Sequence, residues 1–270
     1  MTIWLKEIIL TLLGLAVLVY GLLYFLQERL IFFPDVLPPH HQFRFATAFE
    51  EVWLQAEDDV KVHGLWFTKP DAKGTVLFFH GNAGSVENWG DLAPLYLKNG
   101  YNVFFLDYRG YGKSEGSIRS EKQLIADAQL AYDWVRERSP DGKFVISGTS
   151  IGTGIATQIA ANNPIDLLLL NSPYSALQDL IREKYPIVPP FVIKYKLPTR
   201  QYANQVDCPI VVFHGQQDEL IPVSHAEKLK EQKADIQLHI LPRSGHNNLS
   251  TDPTYIAVLN EVLAGLASTH

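Results

Sequence analysis

The sequence predicts an α/β domain that has a mostly parallel sheet with helices on both faces, preceded by one membrane-spanning helix. Apolar, β-prone runs alternate with helix-compatible segments from Thr75 to Ala267. Such alternation is typical of parallel sheets that are covered on both sides. A Gly-x-Ser-x-Gly pattern, Gly148–Gly152, stands where one of these runs turns into a helix. An apolar run without any charged residue, Ile8–Leu26, precedes the domain.

The apolar run has the length of a membrane-spanning helix. At about 1.5 Å per residue, Ile8–Leu26 matches a hydrocarbon core of roughly 30 Å. A cleaved signal peptide is the alternative, but Tyr24–Leu30 offers no small-x-small cleavage site. We therefore expect residues 1–29 to form an uncleaved single-pass anchor. The flanking pairs Lys6–Glu7 and Glu28–Arg29 nearly balance under the positive-inside rule. We expect the N-terminus in the cytoplasm and the catalytic domain outside it.

The remaining chain divides into a proline-containing linker, residues 30–47, and a single domain, residues 48–270. The domain opens with a predicted hairpin, Ala48–Phe67, that turns at Glu57–Asp59. The strands that follow are expected at Thr75–Phe79, Val103–Leu106, Phe144–Ser147, Leu167–Leu170, Ile210–Phe213 and Ile236–Leu241. Helices are expected near Val86–Lys98 and at Glu121–Arg138, Ile151–Asn162, His225–Gln232 and Pro253–Ala267.

One interruption of this alternation, residues 172–204, is rich in aromatic residues, aliphatic residues and proline. It is either an irregular connection that packs on the core or a small lid insertion that lines an acyl pocket. Under the lid interpretation, the expected substrate-binding residues are Tyr174, Leu177, Tyr185 and Phe191.

Composition argues against several other classes of function. The formal net charge is -6 and no basic cluster is present, so we expect no nucleic-acid partner. The single cysteine, Cys208, excludes an internal disulfide. No Cys/His spacing resembles a zinc site, so we expect no metal and no other cofactor.

The Gly148–Gly152 pattern predicts a nucleophile elbow, a sharp turn from a strand into a helix. The flanking glycines are needed because the turn crowds the positions two before and two after Ser150. Gly112–Gly116 matches the same pattern around Ser114. However, the segment Asp107–Tyr111 separates the preceding strand from that match and the next helix begins only near Ser120, so Ser114 is expected in a loop. Ser150 is the predicted nucleophile.

A serine nucleophile needs a base, and the base needs a group that orients it. Among nine histidines, His246 follows the last strand, where the chain order Ser, Asp, His requires the base. Asp218 follows the Ile210–Phe213 strand and is the predicted acid, with the adjacent Glu219 as its rival. Asp252 precedes Pro253 and is better explained as a helix cap.

An oxyanion hole needs two N–H donors that point at the developing negative charge. The backbone N–H of Ile151, at the start of a helix, is the first. The segment His80–Gly84 leaves the Thr75–Phe79 strand through glycines. We assign the second donor to the N–H of Asn82, with Ala83 as the alternative.

These motifs resemble a known family. His80–Gly84, Asp107–Ser114, Gly148–Gly152 and Gly245–Asn247 are similar to the motifs of α/β-hydrolases, and especially to the membrane-anchored BEM46-like serine hydrolases. The resemblance covers about Glu51 to Leu266. It implies the α/β-hydrolase fold and a catalytic triad of Ser150, Asp218 and His246. Eukaryotic relatives of this branch include acyl-protein thioesterases that remove palmitate.

The sequence thus predicts a membrane-anchored serine hydrolase that acts on carboxylic esters or thioesters through an acyl-enzyme. We expect a substrate with an acyl or lipid chain. Two alternatives remain at this point. One is another reaction on the same fold, carried out by a peptidase, a C–C hydrolase or a lyase; the other is a binding protein without catalytic activity. The oligomeric state is not predicted.

Overall fold

The computed structural model of the protein describes residues 3–268. Met1 and Thr2 of the predicted anchor, and Thr269 and His270 of the predicted domain, lie outside the described residues. The chain begins with helix α1 (Ile3–Ile31), most of whose apolar side chains are exposed. Within residues 3–268, α1 alone is both long and apolar enough to cross a membrane.

Ten strands and eight further helices follow α1 in the described chain. The strands are β1 (Phe33–Pro34), β2 (Phe49–Gln55), β3 (Lys61–Phe67), β4 (Gly74–Phe79), β5 (Ala83–Gly84), β6 (Tyr101–Leu106), β7 (Lys143–Thr149), β8 (Leu167–Asn171), β9 (Ile210–Gly215) and β10 (Gln237–Leu241). The helices are α2 (Val86–Trp89), α3 (Ala93–Leu97), α4 (Glu121–Arg138), α5 (Gly152–Asn162), α6 (Leu177–Lys184), α7 (Thr199–Ala203), α8 (Ser224–Gln232) and α9 (Pro253–Ser268).

Eight strands form one sheet in the order β10-β9-β8-β7-β4-β6-β3-β2. The strands from β10 to β6 are parallel, whereas β3 and β2 pair antiparallel at one edge. The predicted α/β-hydrolase fold with its mostly parallel sheet is confirmed. The carboxyl ends of β4, β7, β9 and β10 meet at the same edge of the sheet, where ligands bind in open α/β sheets.

Both faces of the sheet are buried, which explains why its central strands are apolar without interruption. In β4, Val76 and Phe78 pack into one core cluster, and Leu77 and Phe79 pack into the other. Helices α4, α5 and α8 contribute to the cluster that contains Leu77, while α2, α3 and α9 contribute to the opposite one. This rigid two-sided core supports the loops at the edge.

The segment Val86–Lys98 was expected as one helix, but the structure divides it. A 3-10 turn, Gly90–Leu92, separates α2 from α3. Pro94 has no N–H to donate to the Gly90 carbonyl four residues earlier, and that carbonyl accepts from the N–H of Ala93 instead. Gly90 also lies against the Phe45 ring, where an added Cβ would come within 2.6 Å.

The segment expected as a linker lies against the domain. The Phe33 N–H donates to the Asn82 carbonyl (2.8 Å) and the Asp35 N–H donates to that of Gly84 (2.9 Å). Phe32 and Phe43 are buried in the two core clusters. These contacts join the end of α1 to the loop after β4.

Candidate active site

Ser150 occupies a strained turn between β7 and α5. Its φ is 54°, a left-handed conformation that non-glycine residues seldom adopt. A Cβ at Gly148 would come within 2.5 Å of the Gly152 carbonyl oxygen. A Cβ at Gly152 would overlap the carbonyl oxygen of Phe79. The glycine spacing in the sequence therefore has the steric cause that the elbow prediction supposed.

Three side chains from distant parts of the chain meet at this turn. His246 Nε2 lies 3.0 Å from Ser150 Oγ, and His246 Nδ1 lies 2.7 Å from Asp218 Oδ2. Ser150 and Asp218 are nearly buried, and His246 comes from the loop after β10. With the Nδ1 proton donated to Asp218, Nε2 is left free to accept the hydroxyl proton of Ser150.

Asp218 is held as a carboxylate. Burial opposes its ionisation, but hydrogen bonds from His246 and from the Ile221 N–H outweigh burial, so the pKa of Asp218 lies below its ordinary value. The N–H groups of Leu220 and Ile221 both donate to Oδ1, at 2.9 and 2.8 Å. This leaves Oδ2 for the imidazole. Glu219, the rival acid, is exposed to solvent.

Two backbone N–H groups are available beside the Ser150 hydroxyl. Ile151 precedes α5 as its N-cap, and Asn82 follows β4. Within the described part of the chain, neither N–H donates to another residue. The rest of Asn82 is fixed, because its carbonyl accepts from Tyr111 Oη (2.7 Å) and its amide donates to the Ile31 carbonyl (2.9 Å). The arrangement can therefore offer two fixed donors to an oxyanion.

Ser114, the other Gly-x-Ser-x-Gly serine, has a structural role. It lies in the loop between β6 and α4 as expected. Its hydroxyl accepts from the His63 N–H (2.7 Å) and donates to the Asp107 carbonyl (2.8 Å). It has no elbow, and none of its hydrogen bonds in the described chain involves an imidazole nitrogen.

A second Ser-His-carboxylate group combines two buried residues with an exposed glutamate, and no sequence pattern predicted it. His225 Nδ1 is 2.9 Å from Ser175 Oγ, and His225 Nε2 is 3.3 Å from Glu183 Oε2. Ser175 and His225 are fully buried. The Ser175 N–H also donates to Nδ1 (3.2 Å). The imidazole of His225 therefore stabilises the buried turn at Ser175. The group at Ser150 lines a cavity that opens to the surface.

That cavity has a volume of about 270 Å³. Ser150, His246 and Asn82 line it. The largest apolar side chains that line it are Trp89, Leu92, Leu220, Leu249 and Tyr255. Sequence reasoning missed these five. Of the five, Leu220 was the easiest to identify from the sequence, since it is two positions after the predicted acid and precedes a helix.

None of the four expected substrate-binding residues lines this cavity. Tyr174 is buried behind the elbow, where its hydroxyl donates to the Ile151 carbonyl (2.8 Å). Leu177 faces the core from α6. Tyr185 and Phe191 are exposed near the C-terminal end of α1. Tyr174 and Leu177 are thus core residues, and Tyr185 and Phe191 are surface residues. The walls of the cavity around Ser150 come from other segments.

Comparison with known proteins supports the fold. The model of a family described as alpha/beta hydrolase fold matches residues 74–192. The alpha/beta hydrolase domain-containing protein WAV2 of Arabidopsis thaliana is 30% identical over 249 residues, covering 82% of this chain and 80% of WAV2. The protein bem46 of Schizosaccharomyces pombe is 28% identical over 275 residues, covering 93% and 90% of the two chains.

Two further similarities concern proteins with a stated activity. The lysophosphatidylserine lipase ABHD12 of Xenopus tropicalis is 31% identical over 244 residues, covering 74% of this chain and 62% of the lipase. An esterase of Pyrococcus furiosus superimposes with a TM-score of 0.71 at 21% identity, covering 88% of this chain and 98% of the esterase. The esterase similarity shows the fold alone.

Proposed function

Because the chain belongs to the α/β-hydrolase family, we propose that it is a membrane-anchored serine hydrolase of carboxylic esters or thioesters. The observation that carries this proposal is the continuous hydrogen-bonded chain from Asp218 through His246 to Ser150. A binding protein has no need of this geometry on a strained turn beside a cavity. We therefore rank the catalytically silent alternative below the enzyme.

The reaction follows from the hydrogen-bonded chain. Ser150 Oγ attacks the carbonyl carbon of the substrate while its proton passes to His246 Nε2. The tetrahedral intermediate collapses to an acyl-enzyme, and His246 returns the proton to the leaving alcohol or thiol. Water then attacks the acyl-enzyme and gives one proton to His246. Release of the carboxylic acid restores the Ser150 hydroxyl. Asp218 stabilises the imidazolium in both halves of the reaction.

The negative charge that develops on the carbonyl oxygen needs fixed donors. The N–H groups of Asn82 and Ile151 serve this role in the proposal, since both are free of intramolecular acceptors in the described chain. Donors of this kind stabilise the transition state because they are already oriented before the charge appears. Removal of one donor typically costs about 10² to 10³ in kcat.

The substrate class is an ester or thioester that carries an acyl or lipid chain. The cavity walls near Ser150 include Trp89, Leu92 and Leu220, which suit a hydrocarbon chain. Similarity to a lysophosphatidylserine lipase supports a lipid ester as the substrate. The apolar helix α1 would hold the site at the membrane where such substrates reside.

The catalytic domain is proposed to lie outside the cytoplasm. A reporter that is active only in the cytoplasm should therefore show no activity when it is fused to the C-terminus.

Activity-based labelling of the full chain in detergent tests the proposal. We expect a fluorophosphonate probe to modify Ser150, and the Ser150→Ala variant to lose both labelling and hydrolysis of p-nitrophenyl octanoate. Ser114→Ala is the matched control, because Ser114 occupies the same sequence pattern without a base; this variant should still be labelled. Folded protein that does not react at Ser150 would support the silent alternative. Labelling without ester hydrolysis would indicate a different reaction on this fold.

A further inference from the structure

The 172–204 insertion carries an exposed apolar loop, Tyr185–Phe191. Its seven residues include three prolines and no charged residue. The side chains of Tyr185, Ile187 and Phe191 are 60%, 79% and 78% exposed. Exposed apolar side chains grouped in this way mark an interaction surface.

This apolar loop is fastened to α1 by polar contacts. Gln27 is buried, and its side chain donates to the Val192 carbonyl (3.0 Å) and accepts from the Lys194 N–H (2.9 Å). Nearer the N-terminus of the helix, Tyr20 Oη donates to the Ile187 carbonyl (3.3 Å). The insertion therefore lies alongside the C-terminal part of α1, residues 20–31, rather than at the very end of the helix.

The apolar surfaces of α1 and the insertion are continuous. A groove of about 350 Å³ lies between them, lined by Leu23 and Leu30 from α1 and by Ile181, Tyr185 and Val188 from the insertion. In both elements, the first charged residue beyond the apolar surface lies at the same position along the helix axis. Glu28 of α1 forms an ion pair with Lys194 of the insertion, with Nζ 2.7 Å from Oε1.

The position of these contacts along the helix gives a depth. Tyr20 is six residues before Leu26, where the uncharged run ends, and six residues of helix rise about 9 Å. If α1 spans a bilayer, the Glu28–Lys194 pair lies at the headgroups, and Ile187 lies at the level of Tyr20, about 9 Å beyond Leu26 along the helix axis toward the hydrocarbon core.

We propose that the apolar loop enters the lipid bilayer beside α1, with Ile187 at the depth of Tyr20. This inference rests on the proposed membrane anchoring. The loop and the helix then form two attachment points, which fix the orientation of the domain on the membrane. Lys184 Nζ donates to the Glu219 carbonyl (3.2 Å), so the insertion also touches the segment that carries Asp218. The site is thereby held at a constant height above the lipid.

Probe depth in the full chain tests this inference. In a Cys208→Ser background, single cysteines replace Ile187, Leu18, Leu26 and Asp141, and each is labelled with a bimane fluorophore. Leu18 and Leu26 are exposed on α1 and form an internal ruler, while Asp141 is exposed before β7, at the opposite edge of the sheet. The protein is reconstituted into phosphatidylcholine vesicles that contain nitroxide lipids with shallow or deep quenchers.

We expect the probe at Ile187 to report a depth between those at Leu18 and Leu26, and the probe at Asp141 to remain unquenched. Ile187 is exposed, so the cysteine replacement removes little packing. A deep probe at Leu18 together with an Ile187 probe that behaves like Asp141 would refute the loop inference and leave the anchor intact. An unquenched probe at Leu18 would refute the anchor itself, and the loop inference with it.

Discussion

Replacement of Asp218 by asparagine tests the proposed triad most directly, because it changes one oxygen to nitrogen without changing the shape. The carboxylate accepts from His246 Nδ1 and from the N–H groups of Leu220 and Ile221. An asparagine oxygen can keep both backbone donors, which places its NH₂ group against Nδ1. Two donors cannot bond, so Nδ1 becomes the acceptor and the imidazole proton moves to Nε2. In that tautomer, His246 cannot accept the proton of Ser150.

We expect kcat for a p-nitrophenyl ester to fall about 10⁴-fold, the size of the effect of this change in other serine triads. At 1.36 kcal/mol per factor of ten, the loss is about 5.4 kcal/mol of transition-state stabilisation. The fold should persist, since the Leu220 and Ile221 donors keep their acceptor. Fluorophosphonate labelling of Ser150 should slow in parallel, because it needs the same base.

Glu219→Gln provides the control, because Glu219 is exposed and, in the described chain, its hydrogen bond with Lys184 uses the backbone carbonyl and not the side chain. Its kcat should stay within about twofold, because removal of one exposed charge alters the site little. The reasoning is refuted if folded Asp218→Asn protein keeps more than about a tenth of the wild-type activity, which is far above the residual activity expected for this variant. If Glu219→Gln loses activity instead, Glu219 is the acid.

Two further predictions concern the oxyanion donor and the buried histidines. Asn82→Pro removes a backbone N–H and should lower kcat by about 10² or more, whereas Asn82→Ala keeps that N–H and should stay within about threefold; equal activity of the two folded variants would remove the assignment. Burial lowers the pKa of His214 and of His225, so below pH about 6.5 these residues bind fewer protons in the folded state than in the unfolded chain. The free energy of unfolding should therefore decrease as the pH falls from 6.5, by up to about 1.4 kcal/mol per pH unit for each histidine. Thermal unfolding in detergent at pH 7.5 and 5.5 measures this loss, His225→Gln should reduce it, and an unchanged Tm would contradict it.

Local chemistry made much of the fold predictable from the sequence. The helix Glu121–Arg138 has the expected bounds, and the strands alternate with helices in the expected order. The elbow at Ser150 was also predictable, because the Gly-x-Ser-x-Gly spacing is a local pattern. Gly148 avoids a clash with the Gly152 carbonyl four residues later, whereas the clash that Gly152 avoids is with the Phe79 carbonyl of β4. Chain order then nominated Asp218 and His246, which the fold places at hydrogen-bond distance.

The sequence alone determined which segments form strands and helices and which polar residues follow the strands, because these properties depend on neighbours along the chain. Only the tertiary structure decided which apolar residues line the cavity. Tyr174 and Trp89 are both large aromatic residues, yet the first is buried behind the elbow and the second lines the cavity at the site. The joint between Gln27 and the insertion likewise links residues 165 positions apart. Such contacts arise from the packing of whole elements, and no local pattern specifies the direction in which a side chain on a packed element will point.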